Sequence, residues 1–382
     1  MHWTVALEGG PRRVNHAAVA IETHVYTFGG YCTGEDYETA RPMDVHMLNT
    51  VTYKWMAIPV PKCSDPQYRI APYMRYGHTA VAHNRLAYLW GGRNDTSGAC
   101  NILYVFDTES RKWFRPKVHG NIPSVRDGHS ACIIRHKMLI FGGYEEEMDK
   151  FSNDVHGLDL TSLTWEYYKV SKGEPARWRD FHSATGIGDK MYIFGGRSDK
   201  AGSIHTNNEM YCNKMQIFDT VTCSWSEPAT TGCTPIGRRS HSAFLYYNKL
   251  YIFGGYNGLH DLHLRDLHCF DPALNHWSFV TVQGQGPCPR RRQCCCVVGD
   301  RVFLFGGTSP CKVPMENTEF DLMDLSDLYV LDLMPTLRTL CLVAALDFKL
   351  NTDILPMEIR WELAAMTTNS NISRPLVRCS SG

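Results

Sequence analysis

The stretch "LYIFGGY", residues 250–256, decides the fold because close variants of it recur along the whole chain. Five further segments end an alternating apolar run with the same glycine pair. They are "VYTFGGY" (25–31), "AYLWGGR" (87–93), "MLIFGGY" (138–144), "MYIFGGR" (191–197) and "VFLFGGT" (302–308). The spacing of roughly 50 to 60 residues predicts an array of repeated supersecondary units.

Three other elements accompany each glycine pair. A segment that usually contains histidine precedes it: "VNHAAVA", "YGHTAVA", "DGHSACI", "DFHSATG", "RSHSAFL" and the divergent "RQCCCVV". A short alternating strand such as "LYVFDT" or "DLHCFDP" follows it, and in five units a tryptophan opens one more strand: Trp55, Trp113, Trp165, Trp225 and Trp277. Each unit therefore predicts four short strands with one large aromatic side chain between sheets, as in a propeller blade.

These elements closely resemble the kelch motif, and the resemblance covers roughly residues 1–333. It implies an all-β, six-bladed kelch propeller. After it we expect a helical segment at 334–366, from the apolar period described below, and a flexible tail at 367–382. The six repeats lie near 13–60, 75–118, 126–170, 179–227, 238–282 and 291–333.

The sixth unit has no tryptophan in its last strand, but "HWTVAL" around Trp3 matches the last strands of the other units. We therefore expect residues 2–7 to form the outer strand of the last blade. Such a pairing joins the two ends of the propeller and removes an exposed strand edge.

Composition excludes several classes of protein. Among 382 residues, 39 basic residues balance 39 acidic ones, which argues against nucleic-acid binding in spite of the basic run "PRRRQ" at 289–293. The N-terminal stretch has no signal-peptide pattern, no segment is apolar enough to span a membrane, and the 15 cysteines show no CxxC spacing. We expect a protein of the cytoplasm, with the nucleus left open, and no membrane association.

Histidines 16, 78, 129, 182 and 241 invite a metal or catalytic interpretation. Because they occupy the same position in successive repeats, a structural role is favoured. No sequence motif for catalysis or cofactor binding stands in a suitable context. Some kelch propellers are copper oxidases, but nothing singles out a copper-binding set here. We expect no catalytic residue, no metal and no cofactor.

The loops beside the repeats favour a ligand pocket on one face of the propeller. The loop after the glycine pair would bring Tyr31, Arg93, Tyr144, Arg197 and Tyr256. The loop before the histidine would bring Arg13, Arg75, Arg126, Arg179, Arg239, Ser240 and Arg292. Arginine binds a carboxylate with two parallel hydrogen bonds, so the pocket suits an anionic group such as a peptide's terminal carboxylate. The alternative is that some arginines only bridge blades by pairing with Asp127 or Asp180.

After residue 333 the apolar period becomes helical, with Leu337, Cys341, Ala344, Ala345 and Phe348 on one face and Thr336 placed as a cap. A helix packed on the propeller would explain this pattern. Thr336, Leu337, Cys341 and Ala345 also resemble the BC box that binds elongin C, and Leu355, Pro356 and Ile359 resemble a cullin-2 box. Both boxes after a kelch propeller resemble the substrate receptors of cullin-2 ubiquitin ligases.

That resemblance implies a non-catalytic adaptor. Its partners would be elongin B/C, cullin-2 with a RING subunit, and proteins that end in glycine, with a basic residue or glutamine before the glycine. The matching carboxylate ligands are Arg197, Arg239 and Ser240, and Arg93, Tyr144, Arg179, Tyr256 and Arg292 would line the pocket. Acidic candidates for the basic residue are Asp127, Asp180 and Glu145. Because the chain itself ends at Gly382, its own terminus could enter a pocket and cause self-association. The alternative function is a kelch scaffold in chromatin or cytoskeletal interactions without ligase activity.

Overall fold

The computed structural model describes residues 1–35, 40–311 and 322–373. Each glycine pair there lies within the second strand of a four-stranded antiparallel sheet, near its end, or directly after that strand. Six such sheets, called blades 1 to 6 in chain order, surround a central channel. The predicted six-bladed propeller is confirmed.

In blades 1 to 3 the four strands follow one another in sequence order from the channel to the outer edge. The strands of blade 1 are Ala17–Ile21, His24–Phe28, Val45–Asn49 and Lys54–Ile58. Those of blade 2 are Tyr76–His83, Leu86–Asn94, Tyr104–Asp107 and Lys112–Phe114, with Gly98–Ala99 beside the second. Those of blade 3 are Ser130–Ile134, Lys137–Phe141, Val155–Asp159 and Thr164–Tyr167, with His119–Gly120 alongside.

Blades 4 and 5 follow the same order. The strands of blade 4 are Ser183–Ile187, Lys190–Phe194, Gln216–Asp219 and Ser224–Ser226. Those of blade 5 are Ser242–Tyr246, Lys249–Asn257, Leu262–Asp271 and His276–Phe279, with Thr231–Gly232 alongside. Short hairpins project from blades 3, 4 and 6: Tyr144–Glu145 with Lys150–Phe151 around the 3-10 turn Glu146–Met148, Arg197–Asp199 with Glu209–Tyr211, and Thr308–Pro310 with Leu322–Asp324.

Blade 6 combines the two ends of the chain. Its inner strands are Cys294–Val298, Arg301–Phe305 and Leu328–Asp332, and its outer strand is His2–Leu7, which pairs antiparallel with Leu328–Asp332. The predicted ring closure by the N-terminal strand is therefore confirmed. Val5 and Leu7 point into the core at 4% exposure each, whereas Ala6 between them is exposed.

The six outer-strand tryptophans hold neighbouring blades together. Each packs against the aromatic residue before the glycine pair of the preceding blade, with ring centroids 5.0 to 6.0 Å apart. The pairs are Trp3–Phe253, Trp55–Phe305, Trp113–Phe28, Trp165–Trp90, Trp225–Phe141 and Trp277–Phe194. Tilted and edge-on pairs of this kind add about 0.5–1.5 kcal/mol each beyond burial of their area.

The described part of the chain contains three α-helices besides the blades: α1 (Gln67–Ile70) between blades 1 and 2, and α2 (Leu337–Asp347) and α3 (Met357–Thr367) after blade 6. The Thr336 hydroxyl accepts a hydrogen bond from Thr339 N–H, so Thr336 caps α2 as predicted. Val343 and Met366 belong to the core cluster around the N-terminal strand, which fixes one side of α2 and α3 to the propeller.

The register of the closing strand gives a stability prediction. Val5→Asp places a carboxylate in the seam between the two chain ends. The free energy of unfolding should fall by several kcal/mol, because the buried valine side chain is lost and an unpaired charge is buried in its place. We expect the melting temperature to fall by about 10 °C or more, since 1 kcal/mol corresponds to about 2–4 °C in large domains.

Ala6→Asp is the matched control because Ala6 points to solvent in the same strand. Its melting temperature in differential scanning fluorimetry should stay within about 2 °C of wild type. Equal effects of the two substitutions would contradict the pairing of His2–Leu7 with Leu328–Asp332.

Candidate functional site

A closed ring of six backbone hydrogen bonds surrounds the channel. The residue directly before each histidine position donates its N–H to the carbonyl of the equivalent residue in the preceding blade, over 2.7 to 3.2 Å. The six residues are Asn15, Gly77, Gly128, Phe181, Ser240 and Arg292, and all have left-handed φ angles between 49° and 68°. Four of them are not glycine, so their strained backbones depend on the ring for compensation.

The channel narrows to a cavity of about 120 Å³ lined by the six ring residues and the six residues after them. The latter are His16, His78, His129, His182, His241 and Gln293. Burial lowers the pKa of His16, His78 and His241 to about 3, and that of His129 and His182 well below the ordinary value. The rings of His129, His182 and His241 lie within hydrogen-bond distance of Thr79, Ser130 and Ser183 of the preceding blade. These neutral histidines therefore link blades.

Two sets of side chains lie above the ring. The residue before each ring position forms an antiparallel bridge with the residue after the glycine pair of its own blade. The six pairs are Val14 with Tyr31, Tyr76 with Arg93, Asp127 with Tyr144, Asp180 with Arg197, Arg239 with Tyr256, and Arg291 with Thr308. We call this surface the channel face. It holds Arg93, Tyr144, Arg197, Arg239 and Tyr256, all predicted from the sequence, and the ring places Ser240 and Arg292 at its floor.

Arg179 does not line the channel face, and the same correction applies to Arg13, Arg75 and Arg126. These arginines stand one residue too early in the repeat and are only 0 to 7% exposed. Arg75, Arg126 and Arg179 donate to the carbonyls of Gly91, Gly142 and Gly195, the first glycine of each pair, over 2.8 to 3.3 Å. Arg238 and Arg290 make the same bond and also pair with Asp266 and Asp327. They are structural residues that hold the glycine turns.

A basic cluster occupies the channel face at blades 5 and 6. The guanidinium of Arg291 lies 4.2 Å from the centre of the Tyr256 ring, and that of Arg239 lies 5.5 Å from it. Burial and the neighbouring Arg239 lower the pKa of Arg291, and burial, Arg291 and Arg239 lower that of Arg292 to about 10. Within the described residues neither Arg291 nor Arg292 forms an ion pair, while Arg239 contacts Glu209 at 3.3 Å. Positive charge is therefore concentrated here, and within the described residues only Arg239 of these three arginines has a carboxylate at ion-pair distance.

Arg197, in blade 4, is already paired. Its Nε donates to Asp180 over 3.1 Å, its Nη2 bonds the second oxygen of the same carboxylate, and its Nη1 lies 3.6 Å from Glu209. Asp180 therefore pairs with an arginine, as the alternative expected, but within its own blade and not between blades. A ligand carboxylate at Arg197 would have to share the guanidinium with Asp180, so the role predicted for Arg197 stays a prediction.

The opposite side of the channel face, at blades 2 and 3, is acidic. Asp127 is 5% exposed, and its Oδ1 has no hydrogen-bond partner within the described residues. Burial first, and then the neighbouring Asp180, raise the pKa of Asp127 to about 7. Arg93, which is near it, is shared with Glu146 at 3.1 Å and Asp95 at 3.4 Å. The buried carboxylate therefore lacks a dedicated cation.

Two other polar candidates near Asp127 already have partners within the protein. Glu145 is buried and lies 2.9 Å from Arg126, so its proposed contact with a basic ligand is wrong. The Tyr144 hydroxyl donates to Asp149 at the tip of the blade 3 hairpin.

The tail residues fall into an exposed and a packed set. Leu337 is 77% exposed, and Thr336, Cys341 and Pro356 are also exposed, while Ala345, Leu355 and Ile359 are half-buried. The expectation of a helix packed on the propeller holds for Val343, and the exposed positions leave a second apolar surface uncovered. Eight large apolar side chains in this segment are exposed: Met334, Leu337, Leu340, Phe348, Leu350, Ile354, Met357 and Trp361. Arg338 and Glu362 join α2 to α3 through two hydrogen bonds of 3.1 and 2.6 Å.

Metal and membrane features were searched in residues 1–35, 40–311 and 322–373. Within these ranges no three or more histidine, cysteine or acidic side chains are grouped to hold a metal ion. None of the helices there is long and apolar enough to cross a membrane.

A six-bladed propeller with this repeat and a polar channel face defines a kelch-repeat protein, and the chain belongs to the kelch-repeat family. The family model described as "KLHDC2/KLHL20/DRC7 Kelch-repeats domain" matches residues 77–307. The chain is 56% identical over 378 residues to Kelch domain-containing protein 3 of Homo sapiens and to that of Bos taurus, covering 99% of each chain. It is 33% identical over 261 residues to Host cell factor 2 of Homo sapiens, covering 65% of this chain and 32% of that protein. The predicted family is confirmed.

Sequence reasoning missed Arg291, Tyr211 and Glu209. A signal for Arg291 was present, because in both "GRRSH" and "PRRRQ" the arginine that holds the glycine turn stands 16 positions before the first glycine of the pair. The next arginine is then the one on the channel face. Glu209 comes from the hairpin of blade 4, as does Tyr211, whose ring centre lies 5.9 Å from the Arg239 guanidinium. The hairpins differ in length from blade to blade, so no repeat position marks these two residues.

Asp127 gives a pH-dependent stability prediction. A carboxyl group whose pKa rises from 3.8 to about 7 on folding destabilises the folded state as the pH increases between these values. Asp127→Asn should therefore raise the melting temperature above wild type by an amount that grows from pH 4 to pH 7 and is constant above pH 7. The difference between the two pKa values corresponds to a gain of at most ~4 kcal/mol in the free energy of unfolding.

Asp159→Asn is a control of opposite sign. Backbone hydrogen bonds from Ser162 and Thr161 lower the pKa of Asp159, so its loss should reduce the melting temperature near neutral pH. A pH-independent effect of Asp127→Asn in fluorimetry between pH 4 and 8 would contradict the assignment for Asp127.

Proposed function

We propose that this chain is the substrate-recognition subunit of a cullin-2/elongin B/C RING ubiquitin ligase. Its propeller binds the C-terminal glycine of target proteins and presents them for ubiquitination and proteasomal degradation. The chain itself is a non-catalytic adaptor that raises the concentration of the target near the transfer site.

The observation that carries the ligand proposal is the concentration of Arg239, Arg291 and Arg292 around Tyr256 and Ser240 at the channel face. Burial and mutual repulsion disfavour the charged forms of Arg291 and Arg292. A peptide's terminal carboxylate would supply the missing negative charge and accept two parallel hydrogen bonds from an arginine.

A C-terminal glycine fits the geometry of this region. The channel floor is narrow, because the cavity inside the backbone ring has a volume of only about 120 Å³ and is walled by Phe181 and Arg292 among others. A residue without a side chain allows the terminal carboxylate to approach the guanidinium groups without displacing these walls.

The acidic side of the channel face supports the second part of the proposal, a basic residue before the terminal glycine. Asp127 has an unpartnered oxygen, and Asp95 and Glu146 share one arginine. A lysine or arginine of the ligand there would stabilise the ionised form of Asp127 and lower its pKa.

The uncovered apolar surface of α2 and α3 supports the docking part of the proposal. Leu337, Leu340 and Cys341 are exposed on one side of α2, and Val343 holds the opposite side on the propeller. Exposed apolar side chains clustered in one short segment are typical of a protein-protein contact. Elongin C would take the surface around Leu337 and Cys341, and cullin-2 the surface around Leu355, Pro356 and Ile359.

Gly382 lies outside the described residues, so the proposed entry of the chain's own terminus into a pocket stays a prediction. The alternative function, a kelch scaffold without ligase activity, would use the same channel face but would not need the exposed surface of α2.

A labelled decapeptide ending in Arg-Gly tests the ligand site. We expect wild type to bind it and to lose at least tenfold in affinity when the peptide's terminal carboxylate is amidated, since charge-assisted hydrogen bonds contribute about 1.5–3 kcal/mol. Arg239→Ala and Arg291→Ala should each weaken binding to a similar extent. Fluorescence anisotropy at fixed salt concentration provides the measurement.

Arg135→Ala is the matched control, because Arg135 is an exposed arginine in a strand turn of blade 3 that pairs with Asp189. It should leave the affinity unchanged. Asp127→Asn should reduce the affinity for the Arg-Gly peptide more than the affinity for an Ala-Gly peptide. Equal affinity for the free and amidated peptides would overturn the carboxylate assignment.

Co-purification tests the docking surface. Leu337→Ser with Cys341→Ser should abolish recovery of elongin B/C, while the melting temperature stays close to wild type because both side chains are exposed. Leu355→Ala with Pro356→Ala should lose cullin-2 and keep elongin B/C.

Lys349→Ala serves as the control, since Lys349 is exposed just after α2. It should retain all partners. Retention of elongin B/C by the Leu337/Cys341 variant would defeat the assignment of the tail and favour the scaffold alternative.

A further inference from the structure

The outer edge of each blade contains one repeated binding position. In blades 3 to 6 the linker from the preceding blade runs parallel to the outer strand and forms backbone hydrogen bonds with the residues around its tryptophan. In blade 4 Trp225 N–H donates to the carbonyl of Lys172, and in blade 6 Trp3 N–H donates to that of Gln283, each over 2.9 Å. We call this position the edge slot.

In blades 3 to 6 the edge slot requires a glycine. The residue opposite each tryptophan is Gly120, Gly173, Gly232 or Gly284, with φ between 79° and 83°. A Cβ at any of these glycines would overlap the carbonyl oxygen of the facing tryptophan. Backbone conformation and close approach therefore both exclude any other residue.

Blade 1 fills its edge slot with the tail of the chain. The hydroxyl of Ser370 accepts a hydrogen bond from Trp55 N–H over 3.2 Å, and Ser370 N–H donates to the carbonyl of Glu8. In blades 3 to 6 the main chain of the linker therefore lies next to the tryptophan of the outer strand, and in blade 1 the Ser370 side chain bonds the tryptophan N–H.

Blade 2 differs because its linker contains no glycine and forms α1. Here Trp113 N–H donates to the side-chain oxygen of Gln67 over 2.8 Å. The Gln67 amide thus takes the place of a linker carbonyl. An open groove of about 450 Å³ lies beside Gln67, Lys112 and Trp113. Its walls include Met43, Val45, Ile58 and Phe106.

The rim of this groove is basic. Lys62, Arg111 and Lys112 line it and are exposed, and none of them forms an ion pair within the described part of the chain. Among the described residues that line the groove, Asp65 is the single acidic one, and it accepts a hydrogen bond from Gln67 N–H. Charge complementarity therefore favours an acidic occupant.

We propose that the edge slot of blade 2 is a second peptide-binding site, which takes an extended acidic segment of another protein with a glycine opposite Trp113. The segment adds as a short parallel strand to Lys112–Phe114 and displaces the Gln67 side chain from Trp113 N–H. Main-chain hydrogen bonds supply affinity, as in other cases of strand addition, and the glycine and the acidic residues supply specificity. The site is independent of the channel face and of the function proposed for it.

A synthetic probe tests the proposal directly. The peptide DEETGEEP repeats the Thr-Gly pair of the blade 5 linker between acidic residues. It is fluorescein-labelled at its N-terminus and amidated at its C-terminus, which removes the terminal carboxylate that the channel face would bind. Fluorescence anisotropy with the full chain at low salt should show saturable binding.

Two changes define the expected specificity. Replacing the glycine of the probe with alanine should weaken binding at least tenfold, because the added Cβ meets the Trp113 carbonyl. The double substitution Lys62→Glu with Lys112→Glu should also weaken it at least tenfold, and the melting temperature of this variant should match wild type because both side chains are exposed.

Lys169→Glu is the matched control, since Lys169 is exposed just beyond the outer strand of blade 3, whose slot is occupied by His119–Gly120. It should leave the affinity unchanged. Three results would each overturn the proposal: an equal loss of affinity in Lys169→Glu, equal affinity for the glycine and alanine probes, or no saturable binding of the probe by wild type. Hydrogen exchange of Lys112–Phe114 should slow on addition of the probe, and protection elsewhere instead would also overturn it.

Discussion

The ring of six backbone hydrogen bonds around the channel is the constraint on which the rest of the structure depends. Each bond requires a left-handed residue at the same point of the repeat, and this turn aims the preceding residue at the channel face and the next one into the wall. Phe181, Ser240 and Arg292 accept this conformation although they carry side chains. Bulky residues hold such angles only where surrounding contacts enforce them, and strain of this kind is concentrated at functional sites. The position of a residue relative to the ring therefore determines whether its side chain points to the channel face or into the interior.

This geometry explains why adjacent arginines have opposite roles. Arg238 is fully buried, holds the carbonyl of Gly254 and pairs with Asp266, whereas Arg239 reaches the channel face beside Tyr256. The same alternation separates Arg290 from Arg291. A buried arginine with a matched carboxylate contributes to a unique arrangement of the turn, and an arginine with few counter-charges leaves binding capacity unused in the free protein. Asp127 on the opposite side is the acidic equivalent, since it is buried without a dedicated cation. The face is therefore polarised before any ligand arrives.

The repeat made most of the fold predictable from the sequence. Six glycine pairs and five tryptophans determine the number of blades, and the missing sixth tryptophan identifies Trp3 and the strand that closes the ring. The candidate site was less predictable, because a shift of one residue moves an arginine from the face to the interior: Arg239 and Arg292 were placed correctly, Arg179 was not, and Arg291 was overlooked. Contacts made by insertions could not be predicted at all. Glu209 and Gln67 lie in segments that differ in length between blades, so the repeat pattern does not predict which residues their side chains contact.

The contact of Ser370 with Trp55 and Glu8 has a consequence for biosynthesis. The strand His2–Leu7 has no partner until Leu328–Asp332 is made, and the slot of blade 1 stays open until residue 370 follows. Five blades can thus assemble on the nascent chain, but the seam can close only after residues 328–332 have been synthesised. A chain that stops early keeps an unpaired strand edge and exposed Val5 and Leu7, which are features that chaperones and quality-control proteases recognise in unfinished proteins. Closure of the ring therefore depends on the synthesis of residues 328–332 and 370.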